Sequence, residues 1–273
     1  MSTIGFLGSG NMAEALIKGI IKGIITAGLY KPKNIFISDV RAERLDFLTK
    51  EYGVTAAATN SELAAGVEVL VLSVKPQNMT EALQSIKGSV GAETLIVSIA
   101  AGIKVSNISA VLGERPIVRV MPNTPALIGE GASALFANEK ARPMLSKAEK
   151  IFSSVGKAVI VDDESLIDAV TAVSGSGPAY YFLLTEEMIR AAVELGLPED
   201  VAKDLVLQTA KGAALLAVER DKQGETPAEL RRKVTSPGGT TEAAIKVFAA
   251  KDFSRLVNEA LTAARDRSRQ LSG

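Results

Sequence analysis

Two short stretches of this chain have the residue types and spacing for chemistry, and both work by exposing backbone amides. The first is "GFLGSGNMAEAL", where Gly5, Gly8 and Gly10 precede Ala13. This matches a G-x-G-x-x-A turn: Gly8 and Gly10 permit a tight bend and the close approach of a pyrophosphate, and Ala13 lets the following helix pack on the strand. The first N–H groups of that helix then face the anion. The second stretch is "VTSPGGTTEAAI", residues 234–245. Pro237 fixes the chain at the turn, Gly238 and Gly239 relieve the steric limits on φ, and Thr240 and Thr241 open a helix whose first N–H groups have no internal partner. A small carboxylate can rest on such amides without an arginine. Each hydrogen bond to a charged group contributes roughly 1.5–3 kcal/mol, and the helix dipole adds up to about 1–2 kcal/mol. A threonine hydroxyl beside it can donate to a substrate nitrogen or oxygen. The plainer alternative is helix capping by Ser236 or Thr240 with two turn glycines.

Composition narrows what these stretches can serve. The chain has no His and no Cys, so the commonest proton shuttle, thiol nucleophiles, disulfides and the usual zinc ligands are all excluded. With 31 basic residues against 31 acidic ones, no global field favours nucleic acid or a membrane surface. No apolar run approaches the length of a membrane span, and the N-terminus lacks the basic and apolar regions of a signal peptide. Only a carboxylate or oxygen site for a hard cation remains open, and no metal site is assigned; these features predict a soluble, cytoplasmic protein that binds no nucleic acid or membrane. A chain of 273 residues suits two ordinary domains.

The elements that must position the two stretches follow from periodicity. Short apolar, β-branched runs without alternation recur at residues 3–7, 34–38, 68–74, 94–99 and 116–121 and predict buried parallel strands. Helical segments at 11–27, 41–51, 76–87 and 104–112 separate them, giving the βαβ rhythm of a doubly wound, Rossmann-type domain over residues 1–162. "ASALFA" and "KAVIVD", flanking a helix at about 139–154, are expected to close the far edge of the sheet. From 163 to 273 no strand pattern appears. Apolar positions recur there at three and four residues in 177–195, 199–220 and 252–270, which predicts an all-α domain. Apolar faces on more than one side of these helices point to burial against another subunit, with a closed single-chain bundle as the alternative.

Within the first domain, Asp39 ends the second strand where an acidic side chain can accept from adenosine ribose hydroxyls, as in NAD sites. Arg41 and Arg44 follow at once and suit a 2′-phosphate, so the residues argue for both NAD and NADP. Simple capping by Asp39 with solvated arginines is the plainer account. Asn60 and the loop "SVKPQ" (73–77) fall at later carboxyl ends of strands and helix starts, where the crevice of such a sheet binds its ligand. Ser61 and Pro76 also serve as ordinary helix starters.

Taken in order along the chain, "GFLGSGNMAEAL", "SVKPQ", "SIAAGI", "VMPNTPA", "VSGSGPAYYF" and "LRRKVTSPGGTTEAAIKVF" resemble the pyrroline-5-carboxylate reductase family over nearly the whole length. The last of these resembles the family signature and is the most specific. The resemblance implies reduction of 1-pyrroline-5-carboxylate to L-proline by hydride transfer from NADPH or NADH, the last step of proline synthesis. It implies a C-terminal dimerisation domain whose helices interleave in a homodimer, larger rings such as decamers, and an active site at the subunit interface. It maps the cofactor loop onto Gly8, Ser9, Gly10, Asn11 and Met12, and further lining onto Asn60, Val74, Lys75, Pro76, Ala100 and Asn123, with Asp39 and Arg41 at the adenosine end. Asp39 departs from NADP-favouring members, which carry small polar or basic residues after the second strand. The carboxylate site maps onto Val234, Ser236, Gly239 and Thr240, and the hydroxyl near the ring nitrogen onto Thr241. A protonated cyclic imine is already a strong electrophile, which accounts for a site without His. Dehydrogenases of the β-hydroxyacid or 6-phosphogluconate type share a similar fingerprint, yet "GSGPAYYFLL" lacks the catalytic Lys that such enzymes carry. A non-enzymatic NADP-binding sensor has no use for the amide-rich turn.

Overall fold

The computed structural model describes residues 2–8 and 30–272. Contacts divide the chain into two compact units, one of Met1–Pro178 with Ala263–Gly273 and one of Ala179–Thr262. The expected helix at 11–27 lies outside the described residues.

Strands β1 (Ile4–Leu7), β2 (Ile35–Ser38), β3 (Thr55–Ala56), β4 (Val69–Leu72), β5 (Leu95–Ser98), β6 (Ile117–Met121), β7 (Gly131–Ala137) and β8 (Gly156–Ile160) form one sheet in the order 3-2-1-4-5-6-7-8. All pairings are parallel except β6 with β7. Helices α1 (Ala42–Tyr52), α2 (Asn60–Ala65), α3 (Met79–Ile86), α4 (Val105–Leu112) and α5 (Leu145–Ser153) lie between the strands in sequence. Both faces of the sheet are covered, which explains the missing alternation. Ile4, Phe6, Ile35, Ile37, Val69 and Val71 share one buried face with Leu48 of α1 and Phe152 of α5. Leu7, Leu70, Leu72 and Ile96 share the other with Leu63 of α2, Leu83 and Ile86 of α3 and Ile108 of α4.

The strands expected from the apolar runs are present, and β7 and β8 extend the far edge. The short connection from β6 to β7, through a 3-10 turn at Thr124–Ile128 and Gly129 at φ +81°, admits only an antiparallel return. The first unit is thus a doubly wound α/β domain with one reversed junction.

Beyond β8 the described residues are helical: α6 (Leu166–Val170), a π turn (Thr171–Gly175), α7 (Gly177–Glu194), α8 (Glu199–Asp221), α9 (Pro227–Lys233), α10 (Thr240–Ala250) and α11 (Phe253–Leu271). Helix α9 begins with a capping box in which Glu229 N donates to Thr226 Oγ1 and Thr226 N donates to Glu229 Oε2. The second unit buries only two hydrophobic residues, Ala202 and Val206, of α8. Tyr181, Phe182, Leu183, Leu195, Leu215, Val247 and Leu256 are all exposed, so this unit is not a closed single-chain bundle. The last turns of α11 belong to the first unit, where Ser268 Oγ donates to Asp168 Oδ1 at 2.7 Å.

One buried charge ties the sheet to the start of the helical segment. Arg119 of β6 has a 3% exposed side chain and donates from Nη1 to Glu164 Oε1 at 3.0 Å. The same oxygen accepts from Val105 N, the first residue of α4, at 2.8 Å. Among the described residues, Arg119 Nε and Nη2 have no hydrogen-bond partner. Removing the acceptor strands a buried guanidinium, whereas replacing the arginine with an apolar side chain of similar length does not. Glu164→Ala is expected to destabilise the protein by about 2–3 kcal/mol and Arg119→Met by less, checked by thermal melts at fixed protein concentration. Equal losses would show that the ion pair is not what Glu164 contributes.

Candidate active site

The sheet order reverses at β1, where the chain runs outward to β2 on one side and β4 on the other. At that switch point Gly8 takes φ +100°, and its N–H donates to Ser38 O at 2.8 Å. Ser73 Oγ donates to Gly8 O at 2.8 Å, drawing the end of β4 against the end of β1. A Cβ on Gly8 would lie 2.7 Å from Val74 Cγ1 and 2.9 Å from Val74 N, so no larger residue fits. Outside these carboxyl ends opens a cavity of ≈ 360 Å³. Six of the expected cofactor residues line it: Gly8, Asp39, Arg41, Asn60, Val74 and Lys75. Pro76 starts the 3-10 turn that leads into α3. Ala100 and Asn123 are buried beyond the ends of β5 and β6 and do not line this cavity. Ser9, Gly10, Asn11 and Met12 lie outside the described residues.

Hydrogen bonding gives the cavity walls their shape. Asp39 closes a turn at the end of β2, its Oδ1 accepting from Arg41 N at 3.0 Å and Arg41 Nε at 3.1 Å. Its side chain is 5% exposed against 40% for that of Arg41, so the cation faces outward from a buried carboxylate. Asp39 thus fixes the turn that precedes α1, and no side chain among the described residues caps that helix. Arg44 lies with its guanidinium 5.3 Å from the centre of the Phe47 ring. Asn60 accepts from Ser38 Oγ and donates from Nδ2 to Ser85 Oγ at 2.9 Å, which in turn donates to Ala82 O. Its amide thus braces β2 against α3. Ser38, Asn78, Glu81 and Ser85 also line the cavity and were not singled out from sequence. Ser38 carried a signal, since it directly precedes Asp39 at the strand end. Ser85 carried none, because its partner Asn60 is distant in sequence. Burial raises the Tyr30 phenol and the Ser2 hydroxyl holds Glu68 low; both groups sit at the amino ends of the strands, away from this cavity.

The amide-rich turn lies in the second unit. Helix α10 starts from Gly239, and no side chain caps it, so neither Ser236 nor Thr240 plays the plain capping role. Gly238 takes φ +72° and donates its N–H to Glu242 Oε2 at 2.9 Å; Gly239 N donates to Ser236 O at 3.0 Å. The first amides of the helix, at Thr240 and Thr241, have no acceptor inside it. A Cβ on Gly239 would lie 2.6 Å from Ser236 Oγ, so the Ser236 hydroxyl is packed directly over the bend. Val234 is 64% exposed. Such an arrangement offers an uncapped helix start and two hydroxyls to an anion.

A family model described as pyrroline-5-carboxylate reductase dimerisation matches residues 164–271, and one described as NADP oxidoreductase, coenzyme F420-dependent, matches residues 3–102. The pyrroline-5-carboxylate reductase of Pseudomonas aeruginosa is 48% identical over 277 residues, covering 100% of this chain and 98% of that protein. The solved structure of a pyrroline-5-carboxylate reductase from Coxiella burnetii matches with a TM-score of 0.91 at 39% identity, over 100% of this chain and 99% of that one. That of Plasmodium falciparum pyrroline carboxylate reductase with NADP bound matches with a TM-score of 0.86 at 32% identity, over 100% and 98%. With both segments matched in order and the relatives aligned end to end, the chain belongs to the pyrroline-5-carboxylate reductase family.

Proposed function

We propose that this protein reduces 1-pyrroline-5-carboxylate to L-proline with NADPH or NADH, the last step of proline synthesis, in the cytoplasm. The observation that carries the proposal is the end-to-end 48% identity to a reductase of that name. The uncapped start of α10 supports it, because it supplies a carboxylate site in a chain without His.

A dinucleotide fits the cavity at the switch point on the structure's own terms. The Gly8 backbone leaves no room for a Cβ, as a close pyrophosphate approach requires, and Asp39, Arg41, Asn60 and Lys75 are among the residues that line the cavity. When bound, the reduced nicotinamide supplies the hydride. Gly8 and the fingerprint residues Ser9, Gly10, Asn11 and Met12 hold the pyrophosphate; Asp39 and Arg41 hold the adenosine end. Asn60, Val74, Lys75 and Pro76 shape the remaining wall, with Ala100 and Asn123 buried behind it at the ends of β5 and β6. Ser236, Gly239 and Thr240 hold the substrate carboxylate at the turn, with Val234 at its entrance. Thr241 Oγ1 accepts from the protonated ring nitrogen and orients the iminium; a threonine hydroxyl is a poor acid at neutral pH, so the proton on nitrogen comes with the substrate or from solvent. Catalysis then consists of aligning two reactants in a dry site.

Residues 163–273 act as the dimerisation and substrate-binding domain, and residues 1–162 as the nucleotide-binding domain. A second copy of the chain covers the exposed apolar faces of α7, α8, α10 and α11, and dimers assemble further into a decamer.

Addition of 1-pyrroline-5-carboxylate to purified protein is expected to oxidise NADPH or NADH with proline as product; no turnover with either, in protein that binds a dinucleotide, would overturn the proposal. The ratio of the two rates reports what Asp39 and Arg41 recognise. Thr241→Ala is expected to lower kcat on the order of tenfold while nucleotide affinity stays unchanged, as read by steady-state kinetics and fluorescence titration. Gly239→Val, which drives a side chain into the Ser236 hydroxyl, is expected to raise KM for the imine by roughly ten- to a hundredfold; an unchanged KM would place the carboxylate elsewhere.

A further inference from the structure

The motif "VSGSGPAYYF" has no part in the chemistry assigned so far. Its backbone has an accounting problem. In a helix the carbonyl of Ser174 accepts from the N–H four residues on, which here is Pro178, and proline has none. The chain widens into a π turn at Thr171–Gly175, closed by Ser176 N donating to Thr171 O at 2.8 Å, and the Ser174 carbonyl is left outside the ladder. Asn123 supplies the missing donor: its Nδ2 bonds Ser174 O at 3.1 Å. Its Oδ1 accepts from Ala132 N of β7 at 2.8 Å. Asn123 is 6% exposed, and both polar atoms of its amide are used inside the protein. Met121, the last residue of β6, packs against the same turn, since a Cβ on Gly175 would lie 2.5 Å from Met121 Cε.

We infer that Asn123 is a positioning residue: in place of the N–H that Pro178 lacks, it pins the Ser174–Ser176 turn to the carboxyl end of β6 and so fixes the approach to the nicotinamide end of the crevice. This rests on the proposed reductase function and replaces direct contact between the Asn123 amide and the cofactor. Displacing the turn leaves the cavity at β1, β2 and β4 intact, because that cavity contains no atom of Asn123 or Ser174. Nucleotide binding and hydride transfer therefore separate.

Asn123→Ala removes both bonds, and Asn123→Asp keeps the acceptor for Ala132 N while placing an oxygen against the Ser174 carbonyl. Gly175→Val, whose branched side chain starts from a Cβ 2.5 Å from Met121 Cε and 3.7 Å from Thr171 Cγ2, crowds the same turn and carries the test if either Asn123 variant fails to fold. Each is compared with wild-type protein already shown to turn over, so failure of the reductase assignment itself is seen first, in the wild type. Expected for all three is a fall in kcat of tenfold or more, with the NADPH dissociation constant from fluorescence titration within about threefold of wild type. A dissociation constant that rises in step with the loss of activity would make Asn123 a direct cofactor ligand and overturn the inference. So would an Asn123→Asp enzyme with wild-type kcat, because it lacks the Ser174 bond.

Discussion

The structure depends on one close approach of backbone to backbone, at Gly8. The end of β1 is bonded to the end of β2 through Gly8 N and Ser38 O, and to the end of β4 through Ser73 Oγ and Gly8 O. Only a residue without a Cβ, at φ +100°, can occupy that junction. Because β2 and β4 leave it on opposite sides, their following loops diverge and the crevice opens between them. Asp39 and Lys75 line one cavity because each follows a strand gathered at this point, and Asn60 is held there by its bond from Ser38 at the end of β2.

The second organising fact is that polar side chains here serve mainly to fix backbone. Asn60 braces β2 against α3, Asn123 braces β6 and β7 against the π turn, and Glu242 holds Gly238 in its bend. At the turn before α10, what remains for a ligand is amides, glycines and a few hydroxyls. That suits a reaction whose electrophile arrives activated, where precise placement matters more than a strong acid or base. The second unit has the complementary character: among its hydrophobic side chains only Ala202 and Val206 are buried, and its remaining apolar surface matches the dimerisation role proposed for it.

Much of this was legible in the sequence because local rules and the global fold agree. The strands at 3–7, 34–38 and 68–74 read as buried because helices cover both faces, so their central positions are apolar consecutively and not in alternation. Strand β3 went unseen since two residues carry no periodicity, and the reversal of β7 was invisible because a strand buried on both faces reads alike in either direction. Gly8, Asp39 and Lys75 could be placed by their position after strands. The amide bonds of Asn60 and Asn123 could not, because Ser85 and Ser174 are brought to them only by the finished fold. At the α10 start, Ser236 and Thr240 satisfied the composition of a cap, while the actual geometry left that helix uncapped.

The reduction proposed for this chain uses no titrating catalytic side chain. The pH dependence of kcat/KM tests this most directly, measured with saturating coenzyme for the wild type and for Thr241→Ala. One ionisation is expected, that of the imine nitrogen of the substrate, with activity falling as pH rises through it and the midpoint unmoved by the substitution. A bell-shaped profile whose second limb shifts when a protein residue is changed would contradict it.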